Sequence, residues 1–172
     1  MDAYVQLAKQ TIETYIKNGK KIQPPADLPK ELLEKKAGVF VSLHKKTDHS
    51  LHGCIGTFLP TQENIAAEII ENAISSATRD PRFMPLTEKE LADLEINVDV
   101  LSEPAPVKDV KELDPKKYGV IVKTADGRAG LLLPDIGVET VNEQISICCR
   151  KGDINPSNDK LMIFRFTVER HK

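Results

Sequence analysis

Polar and apolar positions divide this chain into short elements of two different periods. Tyr4, Ala8, Thr11, Ile12, Tyr15 and Ile16 recur at helical spacing, and Asn18-Gly19 supplies a stop. The stretch KKIQPPADLPKEL carries Pro24, Pro25 and Pro29, which lack backbone donors, so a loop is predicted there. Gly38 to Leu43 (GVFVSL) and Leu51 to Phe58 (LHGCIGTF) read as strands joined by the polar HKKTDHS. A helix follows, with Ile65, Ile69, Ala73 and Ala77 as its stripe, widened by Ile70 and Ile74. Thr61 is its expected cap, Glu63 suits the first turn, and Asp80-Pro81 ends it.

Thr87 to Leu91 reads as a short helix with a capping box formed by Thr87 and Glu90. Leu94, Ile96, Val98 and Val100 alternate with Glu95, Asn97 and Asp99, the signature of a half-buried strand. SEPAPVKDVKEL marks a boundary between lobes. Tyr118 to Lys123 and Arg128 to Leu133 form a hairpin about Asp126-Gly127. Thr140 to Arg150 is a helix stopped at Gly152, and Leu161 to Glu169 a final strand. Strands and helices do not alternate regularly, which argues against a doubly wound parallel sheet. The expectation is an α+β fold of two antiparallel sheets with flanking helices. One domain, 1–172, would comprise a large lobe of about 1–103 plus 160–172 and an inserted small lobe of about 104–159.

Composition narrows the function classes. The chain has 172 residues, 40% hydrophobic and 29% charged, a globular balance. With 24 Lys+Arg against 26 Asp+Glu, the net charge of -2 gives no global attraction to phosphate backbones, which counts against nucleic-acid partners. No run approaches the length of a membrane span, and MDAYVQLAKQ is not a secretory signal. The cysteines are Cys54, Cys148 and Cys149, an odd count with one vicinal pair, which suits a reducing cytoplasm.

Four places carry candidate chemistry. Cys54 stands between Gly53 and Gly56, where another backbone or a ligand approaches closely, and His52 two positions away shares its face on a regular strand. Cys54 is therefore either a nucleophile with His52 as base, or a small buried hydrophobe beside a bulge. His44, His49, His52 and Cys54 match no familiar zinc spacing, and ordinary turn histidines are the simpler reading, so no metal is expected. RDPRF offers Arg79 and Arg82 as forks for an anion; its structural reading has Asp80 turning the chain and the arginines capping carbonyls. Of Cys148 and Cys149, one packs inward and the other lies near the edge of their helix. There is no GxxxxGK[ST], GxGxxG, HExxH, CxxC or GxSxG, and no cofactor is expected.

Taken in order, GVFVSL, LHGCIGT, ATRDPRF with PLTEKEL, LEINVDVLSEP, YGVIV, GRAGLLLPDI and CRKGDI resemble the AMMECR domain family, whose prokaryotic members are called AmmeMemoRadiSam system protein A. The resemblance spans about residues 1–170. Leu51, Gly53, Cys54, Ile55, Gly56 and Thr57 match the family's hallmark LRGCIGT, but His52 stands where the family has arginine. A permanent cation is thus replaced by an imidazole, whose charge depends on pH. The resemblance implies two unequal lobes with the hallmark motif in a cleft between them. It also implies Memo-like and radical SAM proteins as partners. Two readings of the cleft follow. In the first, Leu51, Gly53, Ile55, Gly56, Thr57, Arg79, Asp80 and Arg82 hold a ligand or protein partner. In the second, Cys54 is a nucleophile or thiol carrier of an enzyme. A nucleic-acid-associated regulatory role ranks last.

Overall fold

A computed structural model describes residues 2–172. The chain divides into two compact units. One comprises the chain up to Val100 together with Glu169–Lys172, and the other is Leu101–Val168. No described helix is long and apolar enough to cross a membrane.

The first unit begins with helix α1 (Ala3–Asn18), capped by the Asp2 carboxylate, which accepts from the Tyr4 and Val5 N–H groups. Gly19 ends it at φ 66°, donating its N–H to the Tyr15 carbonyl as a glycine after a helix does. The proline loop is interrupted by a short helix, α2 (Lys30–Glu34), which local pattern did not reveal. Strands β1 (Val39–Lys45) and β2 (Leu51–Thr57) pair antiparallel, and β1 pairs antiparallel with β3 (Leu94–Leu101) on its other side. A short strand β8 (Val168–His171) completes the order β2-β1-β3-β8.

Helix α3 (Ile65–Thr78) covers one face of this sheet. Its Ile69, Ile70, Ala73 and Ile74 are buried with Val39, Val41, Leu43 and Val98 and with Leu7, Ala8 and Ile12 of α1. The cap of α3 is Asn64, whose Oδ1 accepts from the Ala67 N–H, rather than Thr61. Thr61 serves a different carboxylate. Its N–H and hydroxyl, with the Gln62 N–H and Thr57 hydroxyl, all donate to Glu68, which is buried. Four donors compensate a carboxylate withdrawn from water.

In β3 the alternation holds as far as Val98. Asp99 is then buried instead of exposed, because Arg170 on β8 donates to both its oxygens at 2.7 and 2.9 Å. The 3₁₀ turn Glu88–Asp93 keeps the capping box expected between Thr87 and Glu90.

The second unit holds β4 (Ala105–Pro106), β5 (Gly119–Lys123), β6 (Ala129–Leu132) and β7 (Met162–Phe166) in the order β4-β7-β5-β6. Helix α4 (Val141–Lys151) packs on it, with Cys148 and Cys149 both buried beside Val120 and Val122. Neither cysteine lies at the helix edge, contrary to the sequence expectation. Gly152 is not a left-handed stop either, since its φ is -91°. Its need for glycine is proximity: a Cβ there would lie 2.7 Å from the Ala129 carbonyl carbon. The single strand expected over 161–169 is two strands, β7 and β8, which join different sheets.

Candidate functional site

Strand β2 is an edge strand, and the LHGCIGT segment occupies all of it. Its two glycines have identifiable neighbours. A Cβ on Gly53 would sit 2.2 Å from the Ser76 carbonyl oxygen on α3, and one on Gly56 would sit 2.2 Å from the Phe40 ring. Of the two reasons considered for these glycines, close approach of another backbone accounts for Gly53, and a neighbouring ring for Gly56.

The register places Cys54 opposite Ser42, and Ser42 opposite Asn97 on β3. Phe40 pairs likewise with Gly56 and Asp99. Side chains alternate across a strand, so Phe40, Ser42, Cys54, Asn97 and Asp99 share the face turned away from the Val39, Val41 and Leu43 core. The Ser42 hydroxyl donates to Cys54 Sγ at 3.3 Å.

His52 is excluded from this row by a bulge. Leu43 pairs with Gly53, but His44 pairs with Leu51, so His52 is the extra residue on β2. The premise of a regular strand, which put His52 beside Cys54, therefore fails. His52 instead lines a cavity of about 170 Å³ with Lys45, Leu86, Lys89, Glu90, Asp93 and Leu94. Its ring stacks on Phe83 at 5.9 Å, and Nε2 stands 3.9 Å from Glu90 Oε1. No hydrogen bond joins His52 to Cys54 among the described residues.

The RDPRF segment clasps the open edge of β2. Asp80, almost wholly buried, accepts the Cys54 N–H at 2.9 Å. Arg82 donates through its backbone N–H, Nε and Nη2 to the same carboxylate, and through Nη2 to the Cys54 carbonyl at 3.3 Å. Two side chains thus satisfy the donor and acceptor that a further strand would take, which also protects the edge from foreign pairing. The Arg82 bonds, foremost, hold the Asp80 carboxyl well below the usual carboxylate range, with the two backbone N–H groups adding to them against the opposing effect of burial. Arg79 points elsewhere, to Glu71 on the surface of α3 at 3.1 Å. Ile55 is tied by its N–H to the Ser76 hydroxyl, and Thr57 by its own hydroxyl to Glu68.

Burial pushes the Cys54 thiol up, and the Asp99 and Asp80 carboxylates push the same way. The Ser42 hydrogen bond and the Arg82 charge oppose this without reversing it. Cys148 is pushed up to about 12, again by burial. No cluster of His, Cys, Asp and Glu fit to hold a metal ion occurs among the described residues.

Ser42, Asn97 and Asp99 escaped sequence reasoning as members of this site. Their signal was available but ambiguous: a polar residue at every second position of a strand reads equally as a solvated face.

The AMMECR1 family profile matches residues 5–171. A protein of Thermotoga maritima is 55% identical over 170 residues, covering 98% of this chain and 97% of that one. One from Clostridium acetobutylicum is 47% identical over 99% of this chain but only 36% of its own length, so the chain spans about a third of that relative. The crystal structure of an uncharacterized protein from Pyrococcus horikoshii superposes with a TM-score of 0.88 at 33% identity, covering 97% of this chain and 88% of that one. With the profile spanning nearly its whole length, this chain belongs to the AMMECR1 family.

Proposed function

We propose that this protein is a binding component of an AmmeMemoRadiSam-type pathway, and that the LHGCIGT strand with the RDPRF clasp forms the site that holds a ligand or protein partner. One observation supports binding over nucleophilic catalysis. Cys54 is a half-buried thiol that receives a hydrogen bond from Ser42, while the imidazole that would serve as its base lies beyond a bulge, beside Glu90. A cysteine nucleophile acts as thiolate, which requires a depressed pKa or an adjacent base. Here burial works against the thiolate, and among the described residues the sulfur's hydrogen-bond partner is the Ser42 hydroxyl, not a base. The family's arginine, replaced by His52, is not compensated at Cys54 by a free cation, since the Arg82 guanidinium is committed to Asp80. The net charge of -2 gives nucleic acid little support as the partner.

Co-elution with the Memo-like and radical SAM proteins of the same cell tests this reading. The expected result is a complex that survives Cys54→Ser with similar affinity, together with undiminished pathway output. Loss of output in a folded Cys54→Ser protein that still binds would favour the enzyme reading instead.

A further inference from the structure

Two buried polar side-chain atoms in the middle of the first sheet have no hydrogen-bond partner among the described residues. His44 on β1 and Asn97 on β3 occupy the face that carries Cys54, His44 two residues along from Ser42 and Asn97 directly opposite Ser42. His44 Nδ1 and Asn97 Oδ1 are buried without a hydrogen-bond partner, and no protein group bonds to either side chain among the described residues. An unpaired buried polar group costs about 1–3 kcal/mol, so two on one face call for a reason. Their neighbours are already occupied. Asp99 is held at both oxygens by Arg170, Ser42 donates to Cys54, and Glu95, the residue opposite His44, lies 3.4 Å from His49.

We propose that this face of the β1–β3 pair, beside Cys54, is a subsite for a neutral ligand bearing a planar amide edge, with an N–H donor next to a C=O acceptor. The inventory of groups selects that chemistry. Asn97 offers an acceptor and two donors from one plane, the pattern that an amide edge answers in reverse. The His44 ring offers one further donor or acceptor according to its tautomer. Beside Asn97 the Asp99 and Arg170 charges pair with each other, and Glu95 at the rim of the face turns to His49, so among the described residues no lone cation stands here for a carboxylate. A neutral ligand avoids the desolvation penalty that either ion would meet here.

This subsite rests on the binding role proposed for the LHGCIGT strand. It is tested with isotope-labelled full-length protein, titrated separately with acetamide, acetate and methylammonium while the Asn97 side-chain amide and the His44 ring are observed by NMR. Acetamide is expected to shift both sets of signals saturably, and the two ions are not. Asn97→Leu, which removes both hydrogen bonds to the amide edge, weakens acetamide at least about tenfold. Asn97→Asp, close in shape and so a check on folding, exchanges the preference to methylammonium. Equal or stronger shifts with either ion, or no saturable shift with acetamide, would overturn the amide assignment and leave ordered water as the occupant. The two proposals fail separately: that null with partner binding intact removes only the subsite, and acetamide binding with partner binding absent removes only the pathway role.

Discussion

At Gly53 and Gly56 the same residue type answers two different obstacles. The obstacle at Gly53 is the backbone of α3, which cannot yield without moving a helix, while at Gly56 it is the Phe40 ring. Gly53→Ala is therefore expected to cost about 1–3 kcal/mol with no single-residue rescue. Gly56→Ala is expected to be partly rescued by Phe40→Leu, and urea unfolding of the four proteins distinguishes the cases. Asp80 carries the pH dependence of the site. Its folded pKa is depressed, so its contribution is present above the unfolded value of about 3.9 and is lost as pH falls through the folded value. Asp80→Asn should lower stability near pH 7 and flatten the acid limb below about pH 4, measured as unfolding midpoints across that range. An unchanged acid limb would assign the proton uptake to other carboxylates.

Elements differ in how far local pattern determines them. Helices α1 and α3 and strands β1 and β3 were legible because their periods persist over several residues and their interiors are apolar. Helix α2 was not, since it spans only Lys30–Glu34 after three prolines and is fixed by burial of Leu32 in the core. Local pattern places the cap of α3 three residues early because Thr61 and Asn64 are both good caps. The choice is made by Glu68, which recruits Thr61 for itself. That carboxylate fastens the segment before α3 to the end of β2. Glu68→Ala leaves four donors without their acceptor and is expected to cost about 2–4 kcal/mol, with faster proteolysis within residues 58–64. Equal protease resistance would mean that the segment is held by other contacts.

Across the whole molecule, the class of fold and the family were readable from sequence, while the chemistry around Cys54 was not. The motif LHGCIGT shows its glycines and its cysteine, but a one-residue bulge is a register event, decided by pairing with β1 rather than by β2 itself. That event moves His52 out of the Cys54 row and leaves Ser42 and Asn97 in its place. Likewise, Asp99 reads as a solvent-facing residue until Arg170, 71 positions later, arrives beside it.

The rate of Cys54 alkylation from about pH 5 to 9, in protein whose buried thiols are removed by Cys148→Ala and Cys149→Ala, tests the binding role of this strand most directly. Slow reaction with an apparent pKa above that of a free thiol, about 8.5, is the predicted result. Fast reaction with a pKa well below that value would contradict it, and would make Cys54 an activated thiolate awaiting a substrate.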